Sequence, residues 1–115
     1  MKIFTLILVT LVAFNFVYAD NVEFRANMKI KALKGTFDPT TDLVYVRGSF
    51  NGWGTGNQLL DGDNDSIFTA TISLTAGNTE NFKFMYVDAS GPSDVWEGDP
   101  NRSYLVPLGG GSFED

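Results

Sequence analysis

Cysteine and histidine are both absent from the 115 residues. Without them there is no zinc finger, no haem ligand, no thiol or imidazole nucleophile, no triad that needs a histidine, and no disulfide to staple the chain. Positive charge is also scarce, with 8 basic against 14 acidic residues and a formal net charge of -6. An acidic chain of this kind repels phosphate, so nucleic acid is not an expected partner. What the chain has instead is 10 Phe, 4 Tyr, 2 Trp and 12 Gly, an aromatic- and glycine-rich balance that favours strands joined by tight turns. At 43% hydrophobic and 19% charged the composition is globular, and the length allows one small domain.

The one long apolar run lies at the N-terminus. Lys2 precedes Ile3 to Val17, and Val17-Tyr18-Ala19 then places small residues where a signal peptidase reads. The expectation is a secretory signal peptide over residues 1–19, cleaved after Ala19. The run is short for a membrane anchor, so no membrane association is expected after cleavage.

From Asp20 onward the hydrophobic period is two, with no sustained helical period. Val22, Phe24, Ala26, Met28 and Ile30 share one face of a first strand. Leu43 to Arg47 reads as a second strand, Ile67 to Leu74 as a third, and Asn81 to Val87 as a fourth, in which Phe82, Phe84 and Tyr86 oppose Lys83, Met85 and Val87. Asp94 to Trp96 and Ser103 to Val106 read as two short strands, and Gly109-Gly110-Gly111 as the start of a flexible tail or linker. Short strands at regular intervals predict an all-β, immunoglobulin-like antiparallel β-sandwich over 20–108, with 109–115 outside it.

Three side chains stand out within that frame. Trp53 sits in the loop Asn51-Gly52-Trp53-Gly54-Thr55-Gly56-Asn57, either folded over the sandwich edge or offered to a ligand. Trp96 begins Trp96-Glu97-Gly98-Asp99-Pro100-Asn101-Arg102, where the polar neighbours favour partial exposure over a place in the core. Lys83 is turned away from Phe82 and Phe84 by strand alternation, as a merely solvated lysine would also be. Asp61, Asp63 and Asp65 have the spacing of a calcium loop. Ser66 and Ile72 stand where an EF-hand needs Gly and Glu, so a polar turn is expected and no metal is assigned. Asn64-Asp65-Ser66 and Asn101-Arg102-Ser103 fit the N-glycosylation pattern, a pattern common by chance.

The stretch from Val44 to Val106 resembles a starch-binding domain, a carbohydrate-binding module of the family-20 type, and is similar to the glycogen-binding domain of the AMP-activated kinase β subunit. The resemblance is carried by Val44-Tyr45-Val46-Arg47-Gly48-Ser49-Phe50-Asn51-Gly52-Trp53, by Asn81-Phe82-Lys83-Phe84 and by Trp96-Glu97-Gly98-Asp99-Pro100-Asn101-Arg102. It implies an α-glucan ligand, with Trp53 and Trp96 as a platform for glucose rings and Lys83 and Asn101 as hydrogen-bonding partners of sugar hydroxyls. The second, tyrosine-built site of many such domains has no tyrosine to carry it in Asp61 to Phe68.

The expectation is therefore a secreted, non-catalytic module that binds starch, glycogen or maltooligosaccharide without a cofactor. Two other readings share the fold: a structural or protein-interaction sandwich without sugar, and the binding part of a larger starch-active enzyme with a catalytic domain in a longer chain. A glycosidase built on a carboxylate pair would need a deep cleft, for which so small a sandwich has little room.

Overall fold

A computed structural model describes residues 18–115 of the chain. Residues 1–17, which hold nearly all of the expected signal peptide, lie outside the described residues. Eight strands follow in order: β1 (Ala19–Asn27), β2 (Leu43–Gly48), β3 (Gln58–Leu59), β4 (Ile67–Thr75), β5 (Thr79–Asp88), β6 (Ser93–Trp96), β7 (Arg102–Leu105) and β8 (Gly111–Glu114). One short helix, α1 (Lys29–Leu33), follows β1, and a single 3-10 turn, Ser49–Asn51, follows β2.

The strands form two sheets, ordered β4-β1-β8 and β3-β2-β5-β6, with β7 also paired to β5. Alternation decides what lies between them. Val22, Phe24 and Ala26 of β1 are buried against Val44 and Val46 of β2 and Phe82 of β5, in one contiguous core. Phe24 is its hub. Its ring centroid lies 5.0 Å from that of Phe82, 5.4 Å from Phe50 and 6.4 Å from Tyr104, tilted or edge-on as aromatic quadrupoles favour. The all-β sandwich read from the sequence is the observed fold.

Two local expectations differ from the structure. The alternating run Val22 to Ile30 does not stay extended to its end. β1 stops at Asn27, where the Asn27 side chain accepts the Lys29 N–H (3.1 Å) and the Met28 N–H donates to the Ser66 carbonyl (2.8 Å). The helix-forming run Lys29–Leu33 then turns, and Ile30, expected in the core, is 67% exposed. The second difference is at the C-terminus. Residues Gly111–Glu114, placed in a tail or linker by the sequence, pair parallel to β1, from Val22↔Gly111 to Arg25↔Glu114. That makes the sandwich not wholly antiparallel. The glycines before β8 are what allow it. A Cβ on Gly110, whose φ is +84°, would stand 2.3 Å from the Asn21 carbonyl oxygen, so only glycine lets the chain approach β1 this closely.

Candidate functional site

The candidate site lies on the outer face of the five-stranded sheet, the face turned away from β1. Antiparallel register sets side chains on a common face, and here Arg47 of β2 stands opposite Lys83 of β5, while Met85 stands between Tyr45 of β2 and Trp96 of β6. Lys83 and Met85 alternate with core residues Phe82, Phe84 and Tyr86, as read from the sequence. Met85 is nonetheless only 2% exposed, so the outer face is built up at this point and not bare.

The β5 edge explains how the third motif reaches this face. β6 pairs with Met85 to Asp88 and β7 with Thr79 to Phe82. Both run along the same edge, and residues 97–101 leave it between them, beside Lys83. Glu97 fills the gap by accepting the Phe84 N–H (2.9 Å), and its carboxylate also takes two bonds from Arg102, Nε at 2.9 Å and Nη2 at 2.8 Å. This buttress closes the base of the loop that follows Trp96 and carries Asp99 and Asn101. Since Arg102 pairs with Phe82, continuing that register by one residue sets Asn101 beside Lys83. Asn101 is exposed.

Lys83 is not a freely solvated lysine. Its side chain is 13% exposed and its ammonium is paired with Asp99, which is 91% exposed. Hydrogen bonding from Lys83, reinforced by its charge, holds the Asp99 carboxyl below its usual pKa. An ammonium has three donors, so this pairing leaves others for a ligand.

The Trp53 loop is held by Asn51. The Asn51 side chain accepts the Gly48 N–H (2.9 Å) and donates to the Val46 carbonyl (2.9 Å) and to Asn57 (3.0 Å). Gly48 is required where β2 turns into this loop: a Cβ there would stand 2.5 Å from the Asn81 carbonyl oxygen. Trp53 follows at φ +60°, in the left-handed region, with its N–H on the Gly48 carbonyl (2.9 Å). Its side chain is half-buried, and Trp96 is 40% exposed. Arg47 connects the two segments, with its Nε–H on the Trp53 carbonyl (2.5 Å) and its guanidinium carbon 4.5 Å from the centroid of the Trp96 ring. Lys83 and Trp96, proposed from sequence, thus share one sheet face, the backbone of the Trp53 loop is tied to that face through Arg47, and register sets Asn101 beside Lys83. Arg47 and Asp99 were within the quoted motifs but not singled out, because their partners are fixed by register and loop path.

The chain and its fold match a known family. The starch-binding domain family model matches residues 33–114. The chain belongs to the starch-binding domain family. A starch-binding domain of this type is a carbohydrate-binding module and not a catalytic unit. A 43-residue stretch is 51% identical to a lytic polysaccharide monooxygenase of the AA13 family from Aspergillus terreus, covering 37% of this chain and 10% of that protein. Among solved structures, the glycoside hydrolase family 15 glucoamylase from Hypocrea jecorina aligns at TM-score 0.66 and 25% identity, over 84% of this chain and 17% of that one. The family 20 module of a maltotetraose-forming amylase from Pseudomonas saccharophila aligns at TM-score 0.56 and 21% identity, over 81% of this chain and 99% of the module. The chain thus spans a small part of the monooxygenase and of the glucoamylase.

Asp61, Asp63 and Asp65 lie elsewhere, in the turn before β4, with carboxylate oxygens within 4.8 Å of one another. Asp61 accepts the N–H groups of Asp65 (3.1 Å) and Ser66 (2.9 Å), and Asp65 accepts that of Ile67 (2.9 Å). The Asp61 and Asp65 carboxylates therefore serve as turn-forming acceptors.

Proposed function

We propose that the starch-binding domain holds α-glucan on the outer face of the β2–β5–β6 sheet. Trp53 and Trp96 stack on the apolar faces of glucose rings, and Lys83 and Asn101 hydrogen-bond to hydroxyls. The observation that carries this reading is the Arg47 bridge, which ties the Trp53 backbone and the Trp96 ring to one side chain opposite Lys83 in register. The chemistry fits a pyranose, which offers a C–H face for an indole and a rim of hydroxyls for donors and acceptors. Affinity for soluble glucan is expected on the order of 10 µM to 1 mM, about -4 to -7 kcal/mol, as for a ligand held on an open sheet face.

The mature protein acts outside the cell in this reading, after loss of residues 1–19. A second reading is favoured by the small share of the glucoamylase and the monooxygenase that the chain spans: the module works beside a catalytic domain and keeps it on its polysaccharide.

Titration with maltoheptaose from low to high salt tests the glucan reading. Bonds from Lys83 to neutral hydroxyls are hardly screened, so affinity should stay nearly constant. Lys83→Met keeps the stem and removes the donors, and should weaken binding by about 1 to 3 kcal/mol with little change in melting temperature. A steep fall of affinity with salt would mean an anionic ligand and would overturn the reading.

A further inference from the structure

Arg47 makes three contacts at once. Its Nε–H meets the carbonyl of Trp53, its guanidinium lies over the Trp96 ring, and its Nη1 is 3.8 Å from the Asp94 carboxylate on the strand that carries Trp96. The side chain is 19% exposed. A planar guanidinium can donate in its plane and stack through its face, which an ammonium on the same strand position cannot reproduce. The carbonyl it fixes belongs to a tryptophan at φ +60°, a backbone conformation that side chains other than glycine's adopt only when their surroundings hold them there.

We propose that Arg47 is the positioning residue of the sugar platform. It anchors the Trp53 turn and one face of the Trp96 indole to a single rigid group, and so sets the angle between the two rings. That angle selects glucan curvature. The face of Trp96 against Arg47 is closed to sugar, which must stack on the opposite face. The proposal deepens the α-glucan reading and rests on it, but its first test needs no sugar.

Trp53→Phe and Trp96→Phe each leave one indole as a reporter, because the chain has only 2 tryptophans. Arg47→Met introduced into each should raise acrylamide quenching of the remaining indole in both. Arg47→Lys, which keeps the charge, should do the same and carries the test if the methionine variant does not fold. In the protein with both tryptophans, Arg47→Met should weaken binding of a linear seven-glucose α-1,4-glucan by roughly tenfold. A rigid cyclic glucan of the same size should lose more, because it cannot follow a change in ring angle. Once Trp96 is alanine, Arg47→Met should add less than about twofold.

A response from only one indole, or from neither, would overturn the proposal. So would equal losses for the linear and cyclic sugars, or a full additive loss in the Trp96→Ala background, either of which would give Arg47 a general folding role or a direct sugar contact. If both indoles respond while the unaltered protein binds no glucan, the hold of Arg47 on the Trp53 turn and the Trp96 ring stands and the α-glucan reading falls.

Discussion

Alanine at both Trp53 and Trp96 should leave the domain folded and unable to hold starch. Base–aromatic stacking is worth about 1 to 3 kcal/mol per ring, and a pyranose on an indole is comparable in kind. Each single substitution should then weaken soluble-glucan binding by roughly ten- to a hundredfold. The two together remove up to about 6 kcal/mol, most of the affinity expected of the site. Stability should change far less, because Trp96 is 40% exposed and Trp53 is half-buried on a loop secured by Asn51 rather than by its own ring. Retention on granular starch, read beside a thermal melt, checks both halves. If the double variant unfolds, the rings are structural and the platform is lost. If it stays folded and still binds, the sugar sits elsewhere.

Phe24→Ala should have the largest effect on folding. Phe24 is fully buried, and its ring touches Phe82, Phe50 and Tyr104 from the opposite sheet and its loops. Removing such a ring costs about 3 to 5 kcal/mol, from lost transfer energy and from the cavity left behind. A small domain has only about 5 to 15 kcal/mol in total, and with no cysteine there is no cross-link to compensate. The loss should also reach the site, since Phe50 lies in the turn before Trp53 and Phe82 precedes Lys83. Urea unfolding should show a lower midpoint with an unchanged slope. A shift of under about 1 kcal/mol would mean that the core closes around the gap and that Phe24 is not its hub.

Much of this was legible because β alternation is a local signal. Phe82, Phe84 and Tyr86 against Lys83 and Met85 could be sorted from five consecutive letters, and the same rule put Val22, Phe24 and Ala26 in the core. The neighbours of Trp53 left its ring open between a place over the sandwich edge and a ligand, and those of Trp96 favoured only partial exposure; the resemblance carried by their motifs is what pointed to the candidate site. What failed was what alternation does not encode. Ile30 continues the apolar period of β1, but the chain has already turned at Asn27, under a side-chain bond and a contact from the distant Ser66. The glycines at 109–111 read as flexible by composition, whereas they permit a close parallel return onto β1, a pairing between opposite ends of the chain. Arg47 was visible as a letter in its motif, but its partners lie on another strand and another loop, and only register brings the Trp96 ring over it.

Amide and indole resonances followed during a maltoheptaose titration test the glucan platform most directly. The expected result is saturable shifts at both indole N–H groups and at the amides around Lys83 and Asn101, with the β4-β1-β8 sheet unmoved. No shift at millimolar sugar, or shifts confined to that other sheet or to the Asp61–Asp65 turn, would contradict it.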